Sequence, residues 1–325
     1  MTTLAVIDVG TNSTHLLVVA VRPGGAWRIL RRERQLTRLG ESGLVTGALT
    51  NTAMRRTLAV LRRYAATLKQ LRVDRVDALA TSAVREARNG RAFIRRARAA
   101  TGLPLRIISG RAEARLIYRG VVQANRLRGP VLLISLGGGS AQVVCGQGAS
   151  LRYATSALAG SARLAQRFIR HDPPSMEEVA ALQRHLRRLW APVIRAVRRR
   201  RWRQALGSSA MIHQLLLAAR HLARRRQPMG ERLSISRPQL QRMVEWLARS
   251  RAAQRRRLRG LDPQREDLAL TTGAALLTWM EGCGLSSLRD VPGSLREGVV
   301  CEYLMRERHR RPSRAHAAAA QQRES

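Results

Sequence analysis

Two distant stretches of this 325-residue chain repeat one pattern. Leu4 to Val9 is apolar, Gly10-Thr11-Asn12-Ser13 has turn chemistry, and Leu16 to Val21 is apolar and β-branched again. Val131 to Leu136, Gly137-Gly138-Gly139-Ser140 and Ala141 to Cys145 run through the same sequence of properties. Each copy reads as strand, glycine turn and strand, so each predicts a hairpin. The repetition predicts a duplicated architecture, two related halves facing one another. The chain is long enough, and at 45% hydrophobic residues apolar enough, to give each half its own core.

Between the hairpins the period changes. Met54, Leu58, Leu61, Ala65 and Leu68 recur at three- and four-residue steps between Asn51 and Leu71, with Arg55, Arg56, Arg62 and Arg63 between them, which predicts an amphipathic helix with a basic outer face. Val76 to Ala80 reads as a strand and Gly90 to Ala100 as a helix stopped by Gly102 and Pro104. Arg106 to Ser109 reads as a further strand, and Arg111 to Arg119 as a helix. Beyond the second hairpin the chain turns helical. Ser175 with Glu178, and Ser236 with Gln239, have capping-box spacing, and each opens an apolar-periodic run. Arg306 to Ser325 lacks such periodicity and predicts a frayed or disordered end.

Charge narrows the partners. The chain has 60 Lys and Arg against 21 Asp and Glu, a formal net charge of +39, and Lys69 is its one lysine. A surface this positive attracts polyanions: nucleic acid, anionic membrane, or phosphate-rich molecules. Aromatic residues are too few, and too far from the basic runs, to make a base-stacking surface, so nucleic acid is expected to associate only nonspecifically at low salt. Arg198 to Arg201 and Arg224 to Arg226 read as solvated helix ends. The longest apolar stretch, Leu268 to Met280, is interrupted and too short for a bilayer, which takes roughly 20 residues, so no membrane association is expected. Cys145, Cys283 and Cys301 read as free thiols in a reducing compartment, and with no secretory leader visible before Leu4 a cytoplasmic protein is expected. The histidines show no metal-ligand spacing, His15 reads as a packed strand residue, and Trp190, Trp202, Trp246 and Trp279 read as core.

Chemistry concentrates at the two turns. Asp8, Gly10, Thr11, Asn12 and Ser13 offer a carboxylate, a backbone open to close approach and two hydroxyls within six residues. Successive N–H groups in a glycine turn form an anion nest, and a carboxylate beside it can hold Mg²⁺ directly or through water. Taken alone, that turn is equally well an ordinary hairpin with a solvated aspartate. The three glycines at Gly137, Gly138 and Gly139 shift the balance, because their use is to let a ligand or another backbone approach. Two such turns in duplicated halves can clamp one polyphosphate chain.

Five segments together carry a resemblance. Asp8-Val9-Gly10-Thr11-Asn12-Ser13, Ala80 to Asn89, Ile108 to Tyr118, Gly137 to Ser140 and Leu295-Arg296-Glu297-Gly298 resemble, in order, the motifs of the exopolyphosphatase and guanosine pentaphosphate phosphohydrolase family. The resemblance implies an α/β, two-domain actin-like fold with an interdomain cleft, in the family's short form. It implies a first domain over 1–125 joined by the returning segment 296–306, a helix-rich second domain over 126–295 and a disordered tail over 307–325. It implies Asp8 as metal ligand, Gly10, Thr11, Asn12 and Ser13 as the first phosphate loop, Gly137, Gly138, Gly139 and Ser140 as the second, and Arg85 as a phosphate clamp. Glu113 matches the catalytic glutamate, which would deprotonate the attacking water. The implied reaction is release of terminal phosphate from polyphosphate or guanosine pentaphosphate with Mg²⁺ or another divalent cation, and such folds suggest a homodimer by analogy.

The departures from the family pattern are as informative. Ser135 stands where an Asp is usual, Gln142 where a Glu is usual, and Ala112 where a first Glu precedes Glu113. Gln142 can position a water but cannot take its proton, so base chemistry would fall on Glu113 alone. Hydrolysis is the leading expectation because base, first loop and Arg85 remain together. The alternative is a catalytically impaired member that binds polyphosphate or an alarmone as a sensor.

Overall fold

The computed structural model describes residues 1–223 and 232–310. Arg224 to Arg226 and the last part of the expected tail, 311–325, lie outside the described residues.

The first half contains β1 (Thr2–Val9), β2 (Ser13–Val21), β3 (Trp27–Leu36), the single-turn α1 (Gly43–Thr46), α2 (Asn51–Gln70), β4 (Arg75–Ala80), α3 (Ser82–Glu86), α4 (Gly90–Thr101) and β5 (Leu105–Ile107), followed by α5 (Gly110–Asn125). The second contains β6 (Pro130–Leu136), β7 (Ala141–Gln147), β8 (Ser150–Ala157), α6 (Ser161–Phe168), α7 (Met176–Arg198), β9 (Gln204–Gly207), α8 (Ala210–Leu222), β10 (Ser234–Ser236), α9 (Arg237–Arg249) and α10 (Ala252–Arg257). It closes with a 3₁₀ helix (Pro263–Leu268), α11 (Ala269–Cys283), β11 (Ser287–Asp290) and α12 (Leu295–Arg310). Helix α12 thus carries the chain in helical form through 307–310, the beginning of the segment expected to be disordered.

The strand orders are β3-β2-β1-β4-β5 and β10-β11-β9-β6-β7-β8. Without β10, which pairs antiparallel at the edge, the second sheet repeats the first: a three-stranded meander, then parallel strands added beside its first strand. The expected duplication is therefore complete at the level of topology. Both expected capping boxes form, at Ser175 with Glu178 and Ser236 with Gln239.

Alternation in the central strands shows how the layers assemble. Ala5, Ile7 and Val9 of β1 face a core shared with α2 and α4, while Leu4 and Val6 face the other way. Leu132, Ile134 and Leu136 of β6 face α7, α8, α9 and α11, while Val131 and Leu133 join Leu4 and Val6. The two sheets therefore share a middle layer, and α5 and α12 fill it. These helices touch backbone to backbone: a side chain at Gly298 would overlap the Leu116 carbonyl, and one at Gly120 the Ser294 carbonyl. Strand parity then places Asp8 and Ser135, the last inward-facing positions of β1 and β6, on that shared inner side, above α5 and α12. The stretch Leu268 to Met280, buried throughout, forms most of α11 together with the residue before it, and among the described residues no helix is long and apolar enough to cross a membrane.

Candidate active site

The two glycine turns are built alike. Gly10 N–H donates to the Ser13 carbonyl at 3.0 Å, and Gly137 N–H to the Ser140 carbonyl at 2.9 Å. Antiparallel register puts Asp8 opposite His15 in the first hairpin and Ser135 opposite Gln142 in the second. All four residues line one cleft of about 200 Å³, together with both turns and Glu113. The sequence-predicted residues Asp8, Gly10, Thr11, Asn12, Ser13, Glu113, Gly137, Gly138, Gly139, Ser140 and Gln142 therefore converge.

The loops meet across the cleft, and glycine makes that possible. A Cβ at Gly139 would lie 2.5 Å from both Ser82 Oγ and Thr11 Oγ1, and one at Gly138 would lie 3.2 Å from Thr11 Cβ. The second loop is held from behind by α6. Ser161 N–H donates to the Gly137 carbonyl at 2.9 Å, Arg163 N–H to the Gly138 carbonyl at 3.1 Å, and Arg163 Nε to the Gly139 carbonyl at 2.8 Å. With its carbonyls fixed on the α6 side, the loop keeps a defined backbone shape without side chains of its own.

The two cleft carboxylates differ in their partners. Burial pushes the Asp8 carboxyl up to about 6, against the pull of Arg296 and with a further push from Glu297. Its Oδ1 is enclosed and has no hydrogen-bond partner, an orphaned acceptor that a bound ion or water would satisfy. Glu113 sits in the first turn of α5, whose N-cap Ser109 accepts from the Ala112 N–H. Burial raises its pKa to about 7, offset by the charge and hydrogen bond of Arg85 and reinforced by Asp8 and Glu86.

Arg85 is placed differently from expectation. It does not line the cleft; its Nη1 donates to Glu113 Oε2 at 2.9 Å and to the Ile108 carbonyl at 3.1 Å. In this structure it orients the carboxylate rather than presenting a free guanidinium to phosphate. Gln142 is likewise engaged, its Nε2 donating to Ser140 Oγ at 2.8 Å and Ser156 Oγ at 3.2 Å. His15 is half-buried in an inner strand of the sheet, and burial together with Arg296, Arg265, Arg34 and Arg32 holds its pKa well below 6.5.

The cleft also contains residues given no role above. Thr81 and Ser82 stand at the end of β4, Ser208 and Ser209 precede α8, and Arg265 and Arg296 bring positive charge. Arg265 is buried, and its Nη2 donates to Ser13 Oγ. Arg296 falls within the Leu295-Arg296-Glu297-Gly298 motif, whereas nothing local in the sequence singles out Arg265. Among the described residues no group of three or more His, Cys, Asp or Glu side chains converges. One orphaned carboxylate oxygen amid hydroxyls is nevertheless a hard-oxygen set that suits Mg²⁺, which keeps waters and substrate phosphates as its other ligands.

Two duplicated α/β halves, clasping glycine turns at the ends of their first strands around a cleft with buried carboxylates, define a phosphate-handling protein of the actin-like fold. The model of the Ppx/GppA phosphatase family matches residues 17–307, and the chain belongs to that family of phosphoric anhydride hydrolases. The structure of an exopolyphosphatase from Cytophaga hutchinsonii superposes with a TM-score of 0.83 at 26% identity, covering 93% of this chain and 97% of that one. The Ppx/GppA family member from Aquifex aeolicus gives a TM-score of 0.75 at 25% identity, covering 94% and 98%.

Proposed function

We propose that this chain removes terminal phosphate from inorganic polyphosphate, with Mg²⁺ bound at Asp8 and Glu113 as general base. The observation that carries this reading is the placement of a buried glutamate held by Arg85 and an orphaned aspartate oxygen between two glycine loops in one cleft. The N–H groups of the two loops would hold the phosphate oxygens from both sides. Glu113, oriented by Arg85, takes a proton from water as the water oxygen bonds to the terminal phosphorus. The bond from that phosphorus to the bridging oxygen breaks, and the shortened chain leaves with the bridging electron pair. A divalent ion, when bound, would neutralise charge on the phosphate oxygens. Arg265 and Arg296 add positive charge on the same wall. An extended polyanion matches a surface of net +39 better than a nucleotide that needs only a local pocket, which favours polyphosphate over guanosine pentaphosphate.

The test is phosphate release from long-chain polyphosphate with and without Mg²⁺, beside Glu113→Gln. Metal-dependent release reduced about 10²- to 10⁴-fold by the substitution is expected, the usual worth of a general base. Release that persists in the variant would remove Glu113 from the mechanism. Faster release from guanosine pentaphosphate would reverse the substrate preference.

A second reading rests on the neutral pair Ser135 and Gln142, whose positions mirror Asp8 and His15. A cleft with one metal-facing carboxylate can retain a polyanion without cleaving it. If the native protein binds polyphosphate but releases no phosphate, Ser135→Asp with Gln142→Glu should create metal-dependent release. Continued inactivity of that double variant would argue against a loss of metal ligands as the cause.

A further inference from the structure

Between Glu178 and Glu231 the sequence contains no aspartate or glutamate. Helix α7 occupies the first part of this acid-free stretch. Arg184, Arg187, Arg188, Arg195 and Arg198 recur on it at spacings of three, four, seven and eleven residues, so they share one face, and all five are exposed. None of the five has an acidic partner among the described residues, whereas Arg31, Arg32, Arg34 and Arg38 near the first loop all do. At 1.5 Å per residue the stripe is roughly 21 Å long.

This stripe connects to the cleft through α6. The N-terminus of α6 holds the second glycine loop through Ser161 and Arg163. One turn after Arg163, the exposed Arg167 stacks over Phe168 at 5.4 Å, and the Phe168 ring packs against His185 of α7 with centroids 4.9 Å apart. His185 stands beside Arg184 and three residues before Arg188, and its pKa is lowered by burial and then by Arg167 and Arg188. Arg163 itself is paired with Glu86, so the unpaired positive charge runs from Arg167, one turn beyond the loop's anchor, to the far end of α7. Helices α7 and α11 run side by side in the same direction: Trp190 Nε1 donates to the Ala275 carbonyl at 3.0 Å, and Gly282 faces Ile194. Because α11 begins at the cleft, the stripe leads away from it.

We propose that Arg167 and the α7 stripe form an exosite for the distal part of a polyphosphate chain whose terminal unit occupies the cleft. The assignment rests on the function proposed above and adds a chain-length dependence to it. A chain with charge on every unit can occupy cleft and stripe together, and the second contact is made at high effective concentration. A triphosphate reaches only the cleft.

The test is direct binding, independent of turnover. Dissociation constants for long-chain polyphosphate and for triphosphate are measured for the native protein, for a variant with Arg184, Arg187, Arg188, Arg195 and Arg198 each changed to Gln, and for a charge-matched control with Arg55, Arg62, Arg63, Arg95 and Arg96 changed to Gln. Circular dichroism verifies folding of all three. The stripe variant is expected to lose about tenfold or more in preference for the long chain over triphosphate, with a shallower dependence of log Kd on log salt. The control keeps the native ratio. Equal loss in both variants would reduce the effect to bulk charge, and a native ratio in the stripe variant would remove the exosite. Loss of duplex DNA binding with polyphosphate binding intact would assign the stripe to nucleic acid instead. Each result can be read even if the protein hydrolyses nothing; failure of the native protein to bind either phosphate would sink the functional reading first.

Discussion

At the scale of single residues, the site is defined by carboxylates held where they are costly. The Asp8 carboxyl is raised from 3.8 to about 6, so its charged form is disfavoured in the folded protein. Below about pH 3.8 both folded and unfolded chains carry the proton and no cost appears. As pH rises toward 6 the unfolded chain releases its proton first, stability falls, and above 6 the whole cost of about 3 kcal/mol is present. Asp8→Asn is therefore expected to raise the melting temperature at pH 8, to leave it unchanged near pH 3.5, and to abolish metal-dependent stabilisation. A variant less stable at pH 8 would show that the carboxylate is compensated by groups other than a ligand. Glu113, raised to about 7, links pH to rate in the opposite direction, since only its ionised form accepts a proton and phosphate release should climb through pH 7.

At the scale of elements, the glycine turns and the two central helices divide the work. Gly139 contacts Thr11 and Ser82 across the cleft, so Gly139→Ala would displace two hydroxyls while leaving both cores intact. The expected outcome is a fall in kcat/KM of about tenfold or more with a melting temperature within a degree or two of the native protein, because misplacement at a site costs rate more than stability. A melting temperature that dropped in parallel would make the loop a folding element instead. The hairpins could be read in advance because period-two apolar runs around Gly10 and Gly137 are local signals. So were α2 and the capped starts of α7 and α9. Strand β3 leaves no such local signal: its Arg28, Arg31, Arg32 and Arg34 interrupt any alternation, and as a charged edge it needs none. The role of Arg85 was partly hidden for another reason. Its motif fixes where it stands, but whether a guanidinium turns toward the cleft or toward Glu113 depends on α5, which is distant in sequence. Arg265 belongs to the same class, since its contact with Ser13 joins residues 252 positions apart.

At the scale of the whole molecule, most of the acids pair with arginines and the surplus of arginines is left to solvent. Glu86 pairs with Arg163 and Glu297 with Arg32, Asp262 pairs with Arg34, and Asp267 with Arg38. Salt acts on this arrangement in two opposing ways. It screens the exposed pairs, such as Arg38 with Asp267, each worth about 0–1 kcal/mol. It also screens the mutual repulsion of a net charge of +39. The Debye length falls from about 10 Å at 0.1 M to about 3 Å at 1 M, so repulsion summed over the whole surface is removed across that range, and it outweighs a few exposed pairs. Raising NaCl from 0.05 to 0.5 M should therefore increase the melting temperature, while the same change raises the KM for long-chain polyphosphate and leaves kcat near its low-salt value. Added salt that lowered stability would mean that the ion pairs, not the repulsion, dominate the electrostatics of the fold. A KM unmoved by salt would mean that the arginine surface takes no part in gathering the substrate, whatever the cleft does with it.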